Sequence, residues 1–268
     1  MSVNPIKLEQ LNRFPVKGLS AEPLEAIDLK SGEGMPGDRL FGFARCYSGF
    51  DPDNPLPLPK ENFVVLLNEA ALAGLQTTFD SATQTLTIVA HAETHTFDMR
   101  DQSEKERAAV FLSQTLHLSD EQPPKFVSSA PHRFTDVSVI SPAMMNAISV
   151  LNLASVRAFE EQIGAKVHPA RFRANMVIDG LSPFSELDAV GSFLKIGDVE
   201  FRILSRTKRC AATEVNPETA ERDLKVPYLL RKHFGHMDMG VYVEVVAGGN
   251  LRPGDTGYMQ NINGSDGV

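Results

Sequence analysis

The sequence predicts a β-rich α+β fold. Three observations carry that expectation. Apolar and polar residues alternate over many short runs, helical periodicity is confined to a few segments, and the strand–helix alternation of a doubly wound sheet is missing. The chain has 268 residues, 42% of them hydrophobic and 22% charged, which is enough for one large or two small cores without covalent staples.

Taken in order, IKLEQLNRFPVKGL opens as a strand ending near Pro15, and the glycine-rich SGEGMPGDRLFGFARC turns into a second strand. NFVVLLN reads as a buried strand, EAALAGL as a short helix, and TLTIVAHAETHTFDM as a hairpin whose apolar positions include Leu86, Ile88 and Phe97. In SEKERAAVFLSQTL a capping box, Ser103 facing Glu106, starts a helix with Ala108, Phe111, Leu112 and Leu116 on one stripe. The segment SDEQPPKFVSSAPHR has no period and holds three prolines, so the expected division is a unit over 1–120, a linker over 121–134 and a unit over 135–268. In the second unit VSVIS reads as a strand. Asn152 caps a helix over NLASVRAFEEQIG that carries Leu153, Val156, Phe159 and Ile163 and ends at Gly164. ANMVIDG, FLKIGDVEFRILS and GVYVEVV supply strands, the last with Val241, Val243 and Val245 on one face and Tyr242 and Glu244 on the other. DLKVPYLLRKHFG is helical, with Pro227 in its first turn and Gly235 near its end.

A net charge of −8 argues against indiscriminate binding to nucleic acid or anionic lipid, because neutralising phosphates needs a basic surface. Any anion site must be local. Cys46 and Cys210 make no disulfide framework, no basic-then-apolar leader follows Met1, and no run of about 18 apolar residues could span a membrane, so a reducing cytoplasm is the expected location.

The chemistry gathers around SRTKRCAATEVNP, where Cys210 stands directly behind Lys208 and Arg209. Cationic neighbours favour a thiolate, which is both a nucleophile and a soft metal ligand, while an isolated cysteine also serves as a small packing residue. Both readings stand at this point. Cys46, in FARCYSGF, reads as packing. Lys17, Arg39, Arg171 and Arg173 would each be ordinary surface charges, but basic groups collected at strand ends suit capture of a phosphate or another oxyanion. HFGHMD sets His233 and His236 before Asp238 without further ligands at zinc spacing, so a hydrogen-bonding role is expected. AGGNLRPGD reads as a loop between strands, since no Gly-Lys-Ser/Thr follows, and neither a nucleophile elbow nor a dinucleotide fingerprint is present.

The ordered set FPVKGL, GDRLFGF, FTDVSVIS, NLASVRAFEEQIG, ARFRANMVIDG, IGDVEF, RTKRCAATEVNPET, GVYVEV and GGNLRPGD resembles the MOSC family, the molybdenum cofactor sulfurase C-terminal domain with its N-terminal β-barrel partner. The resemblance spans nearly the whole chain and extends to the amidoxime-reducing components and their bacterial relatives. It implies an N-terminal β-barrel-like domain packed on a MOSC β-barrel domain with a few helices. It also implies a molybdenum cofactor, Mo-molybdopterin, with Cys210 as metal ligand and catalytic residue. Lys17, Arg39, Arg171, Arg173, Asn175, Arg206, Arg209, Thr213 and Asp238 fall around the pterin and its phosphate, although strand alternation keeps Arg206, Lys208 and Arg209 from all pointing one way.

The implied activity is reduction of N-hydroxylated or N-oxygenated small molecules. Two cysteines cannot build a four-thiolate iron–sulfur cluster, so electrons are expected from a separate ferredoxin- or cytochrome-type protein with its reductase. The same cysteine also suits a sulfur carrier or transferase, with a persulfide on Cys210 destined for metal–sulfur cofactor assembly. A ligand-binding module without catalysis is the third reading. Two positions depart from the family pattern. Ala220 stands where many relatives have glycine, and Gly18 where the amidoxime-reducing type often has serine, which is expected to loosen that loop's grip on the cofactor.

Overall fold

In the first strand, β1 (Ile6–Arg13), alternation acts as expected: Ile6, Leu8 and Leu11 are buried while Lys7 and Gln10 are exposed. The structure is a computed structural model describing residues 5–260; residues 1–4 and 261–268, the outer ends of the two expected units, lie outside the described residues. Short strands β2 (Glu22–Pro23), β3 (Ile27–Leu29) and β4 (Phe41–Ala44) follow. Next, β5 (Gln76–Asp80), β6 (Thr85–Ala90) and β7 (Glu93–Asp98) form an antiparallel meander. Its apolar face, with Phe79, Leu86, Ile88 and Phe97, shares a core with Ala108, Ala109 and Leu112 of helix α1 (Gln102–Thr115). The cap of α1 is Asp101 rather than Ser103: its carboxylate accepts from the Ser103 and Glu104 amides at 2.8 and 3.1 Å. A carboxylate there satisfies two orphan N–H groups and also complements the helix dipole.

Three expectations fail in this stretch and just beyond it. NFVVLLN is not a strand; Phe63, Val64 and Val65 are buried, but only one isolated bridge, from Ala44 to Phe63, pairs this run. A continuous apolar run reports burial and not pairing. The 121–134 segment contains β8 (Lys125–Ser128), which pairs antiparallel with β4. Its prolines flank the strand and cost it no ladder hydrogen bond. VSVIS forms turns, leaving Val139 and Ile140 exposed.

After α2 (Pro142–Met145) come β9 (Ile148–Asn152), α3 (Leu153–Ile163) and β10 (Met176–Asp179), with β9 and β10 parallel and α3 as their crossover. Asn152 caps α3 by accepting from the Ala154 amide at 3.1 Å, and Gly164 ends it. Then follow α4 (Ser185–Asp188), the hairpin of β11 (Phe193–Ile196) and β12 (Val199–Lys208), α5 (Val226–Phe234), β13 (Asp238–Ala247), β14 (Gly249–Leu251) and β15 (Thr256–Gln260). The AGGNLRPGD segment, expected as a loop, contains β14, which pairs with β3.

Hydrogen bonding runs β10-β9-β13-β12-β11-β15-β1, and a further pairing of β1 with β10 closes the ring into a seven-stranded barrel. The protein is thus β-rich, with a closed barrel and a few helices. Val150, Ile178, Ile196, Phe201, Val241 and Val243 belong to its core, and Leu151, Phe159, Val226 and Leu230 pack α3 and α5 onto the outside. Because β1 closes the barrel otherwise built from residues 148–260, the loop after β1 is held against the barrel. No helix among the described residues is long and apolar enough to cross a membrane.

One buried acid stands under this frame. Glu186 of α4 is 1% exposed, and its partners are neutral: Asn152 Nδ2 donates at 3.0 Å and Ser155 Oγ at 2.8 Å. Burial pushes its carboxyl above the usual range, against the pull of those hydrogen bonds. The folded state therefore holds a proton that the unfolded state releases, and stability should fall as pH rises through that window. Urea midpoints measured between about pH 4 and pH 8 should show this slope in the parent and a flatter one in Glu186→Gln; an unchanged slope would contradict it.

Candidate cofactor site on the barrel wall

Ser205 of β12, Tyr242 of β13 and Ser149 of β9 are paired side by side on the outer face of the barrel wall, between core residues that point inward, and Asn175 just before β10 bonds to Ser149 beside them. A cavity of about 260 Å³ opens there. Its lining carries Lys17, Arg39, Lys60, Arg171, Arg173, Arg206, Lys208 and Arg209, together with the carboxylate of Asp136 and the thiol of Cys210. Asn175 and Thr213 also line it, so the fold brings together every residue singled out in the sequence except Asp238. Asp238 sits opposite Lys208 across β12 and β13, with its carboxylate 4.0 Å from Arg206, and does not line the cavity. Among the described residues no cluster of three His, Cys, Asp or Glu could hold a metal ion, and the His236 ring accepts from the Asp238 amide.

Cys210 is the second residue beyond β12 and caps a 3-10 turn, Ala211–Glu214. Thr213 closes that turn by donating its amide at 3.0 Å and its hydroxyl at 2.8 Å to the Cys210 carbonyl. The half-buried Sγ accepts a hydrogen bond from Lys60 Nζ at 3.2 Å. That corrects the expected electrostatics, because the adjacent Lys208 and Arg209 do not reach the sulfur. Alternation leaves Arg206 and Lys208 exposed, while Arg209 turns inward to the carbonyls of Phe172, at 3.0 Å, and Met239. Lys60 and Asp136 are the residues that sequence reasoning missed. Lys60 lies in the aperiodic stretch LPLPKEN, which carries no signal, and Asp136 immediately precedes the VSVIS run mistaken for a strand.

Asp136 bridges two lysines: it pairs with Lys17 and lies 3.7 Å from Lys60. Burial opposes its ionisation, but Lys17, Lys60 and Arg39 outweigh that and hold its carboxyl below the usual range. Lys17 also donates to the Phe134 carbonyl at 2.8 Å, and burial lowers its pKa despite Asp136. Burial pushes Arg173 and Arg209 down to about 10. Neither has a carboxylate within ion-pair distance among the described residues; Arg173 donates to the Leu19 carbonyl at 2.7 Å and lies 4.4 Å over the Phe14 ring. Arg39 lies 4.6 Å over the same ring and pairs with Asp38. Arg39 and Arg173 adopt left-handed backbone conformations, φ 50° and 49°, so the chain holds strain where its cations converge.

Some of these residues face the protein rather than the cavity. Asn175 is 1% exposed; Nδ2 donates to Asp38 and to the Asn12 carbonyl, and Oδ1 accepts from the amide and hydroxyl of Ser149. Its capacity is spent, and it orients Asp38 and Arg39. Arg171 holds both oxygens of Asp223, at 2.6 and 2.8 Å, and the Glu214 carbonyl, tying down the segment after Cys210. Arg206 is anchored on Asp188 and the Leu187 carbonyl. Two buried polar atoms in the lining, Arg171 Nε and Thr207 Oγ1, have no partner.

A closed β-barrel with a cation-rich, thiol-bearing cavity against its wall defines the class of protein. The chain belongs to the MOSC domain family, which matches residues 114–257. It is 31% identical over 141 residues to a molybdenum cofactor sulfurase of Drosophila mojavensis, covering 52% of this chain and 18% of that protein. A molybdenum cofactor sulfurase of Caenorhabditis elegans is 34% identical over 98 residues, 35% of this chain and 14% of that one. The chain thus spans less than a fifth of the length of these curated relatives. Among solved structures, the YuaD protein of Bacillus subtilis aligns over 97% of both chains at 14% identity with a TM-score of 0.44. YiiM from Escherichia coli aligns over 42% of this chain and 54% of its own at 18% identity, with a TM-score of 0.31. Lys17, Arg39 and Lys60 precede the matched residues, so the cavity is completed by chain outside the family match.

Both departures from the family pattern have backbone reasons. Gly18 has φ 86°, and a Cβ there would lie 2.4 Å from the Val64 carbonyl oxygen, so serine does not fit this loop. Ala220 takes the left-handed conformation, φ 59°, that glycine adopts without cost. Gly18→Ser should therefore destabilise the protein by about 2 kcal/mol or more, read as a fall in the urea midpoint. A midpoint unchanged from the parent would contradict the close approach.

Proposed function

We propose that the protein is a molybdenum oxidoreductase whose cofactor, Mo-molybdopterin, sits in the cation-lined cavity with Cys210 as thiolate ligand. The observation that carries this is the pairing of a cavity-facing thiol with a half-buried guanidinium, Arg173, and a buried one, Arg209, neither of which has a carboxylate partner among the described residues. A soft sulfur donor suits molybdenum, uncompensated cations suit an anionic pterin phosphate, and Thr207 Oγ1 and Arg171 Nε offer unspent donors. The residues present fit the group.

The chain's own residues divide the work. Cys210 would ligate the metal, held in place by Thr213. Arg39, Arg173 and Arg209 would offset the cofactor's negative charge, with Asn175 orienting Arg39 through Asp38 and Arg171 fixing the segment that carries Cys210. Lys17 and Asp136 neutralise each other at the cavity wall. When bound, the cofactor supplies two-electron oxygen-transfer chemistry, in which an N-hydroxylated compound, two electrons and two protons give the amine and water. The electrons would come from a separate ferredoxin- or cytochrome-type protein, and the two free cysteines suit a reducing cytoplasm.

A second reading, a sulfur carrier with a persulfide on Cys210, is favoured by the relatives named molybdenum cofactor sulfurases. Protein purified from a host that makes the cofactor should contain about one molybdenum per chain, and Cys210→Ser should lose most of it. Wild type without metal, or Cys210→Ser with undiminished metal, overturns the oxidoreductase reading. A persulfide on metal-free Cys210 after incubation with a cysteine desulfurase, read by mass, supports the carrier instead.

A further inference from the structure

Lys60 differs from the other cations of the cavity. It comes from a short 3-10 turn, Lys60–Asn62, well before the family match, yet its ammonium reaches the Cys210 sulfur. Lys17 donates to Asp136 and the Phe134 carbonyl, Arg39 to Asp38, Arg173 to the Leu19 carbonyl and Arg209 to the Phe172 and Met239 carbonyls, and none of them hydrogen-bonds the sulfur. Arg206 and Lys208 are exposed, and neither hydrogen-bonds the sulfur. Lys60 has three N–H donors and gives one to Sγ; Asp136 Oδ2, at 3.7 Å, is beyond hydrogen-bond range. Its side chain remains 23% exposed. Donors open to a ligand therefore stand within 3.2 Å of the sulfur. Beside them the lining is apolar, with Leu66, Leu67, Val137, Met144 and the exposed Ile140.

We propose that Lys60 is the seat for the substrate's oxygen. It donates to the terminal, negatively polarised oxygen of a small molecule whose apolar body rests on Leu67 and Ile140, and so brings that oxygen beside Cys210. The identity of the substrate as an N-oxygenated compound, such as an aromatic hydroxamate, rests on the oxidoreductase reading; the seat itself rests on Lys60, Cys210 and the apolar lining. A cation paired with an apolar wall selects dipolar or anionic head groups on hydrophobic bodies over small neutral hydroxylamines.

The seat can be tested on metal-free protein at a single pH with two thiol reagents of similar size, iodoacetate and iodoacetamide. In each reaction the Cys210 thiolate forms a bond to carbon and iodide leaves. Both reagents draw on the same thiolate population, so their rate ratio cancels any change in ionisation and reports only attraction of the anionic head. Peptide masses separate Cys210 from Cys46, which serves as internal reference. The iodoacetate-to-iodoacetamide ratio at Cys210 should exceed that at Cys46 by about fivefold. Lys60→Met should lower it at least about twofold toward the Cys46 value, Lys60→Arg should keep it, and Lys208→Met should change it less than about twofold. A ratio unmoved by Lys60→Met, or lowered equally by Lys208→Met, overturns the seat. In molybdenum-loaded protein Lys60→Met should raise KM for an aromatic hydroxamate about tenfold, with kcat within about threefold. A KM unchanged in active protein also overturns the seat. Absence of molybdenum and turnover in wild type refutes the oxidoreductase reading alone, and the alkylation ratio still decides the seat.

Discussion

Two guanidiniums, the half-buried Arg173 and the buried Arg209, stand at the cavity without a carboxylate partner among the described residues, and the rest of the site is arranged around them. A buried cation is costly unless hydrogen-bonded, and here carbonyl dipoles from Leu19, Phe172 and Met239 carry that load. Such a solution leaves net positive charge inside a protein whose overall charge is −8. Field from fixed cations in a low-dielectric recess draws an anion to one place without making the whole surface sticky.

Closure of the barrel makes this arrangement possible. The N-terminal strand completes a ring otherwise built from residues 148–260, which brings the segment with Phe14 and Lys17 up to the cavity that Cys210 lines. Phe14 then lies under both Arg39 and Arg173, from segments more than a hundred residues apart. Asn175 links the two sides by bonding to Asn12, Asp38 and Ser149. The strained backbone at Arg39 and Arg173 is sustained because packing and hydrogen bonds over-determine it.

Periodicity made the second half of the chain legible. The α3 cap at Asn152, the β11–β12 hairpin, α5 and the faces of β13 follow from local pattern, because each buries one side against the barrel. What stayed hidden lacked a period of its own. Strand β8 exists only through β4, the buried run at Phe63–Val65 packs without a ladder, and Val137–Ser141 turns despite its alternation. The site divides in the same way. Lys17, Arg39, Arg171, Arg173 and Cys210 were visible as charged or soft groups at strand ends, whereas Asn175 proved to be a buried junction and Lys60 came from a proline-rich stretch whose placement depends wholly on tertiary contacts. Charge next in sequence to Cys210 was a poor guide, since alternation turned Lys208 outward and Arg209 toward backbone carbonyls.

The central claim is that this cation-lined cavity holds a molybdenum cofactor through the Cys210 sulfur. X-ray absorption at the molybdenum edge tests it most directly, on protein purified from a host able to make the cofactor. Three sulfur ligands are predicted in wild type, two from the pterin dithiolene and one from Cys210, with one fewer around the residual molybdenum that Cys210→Ser retains. A sulfur count unchanged by Cys210→Ser, or no bound molybdenum in the wild type, would contradict the account.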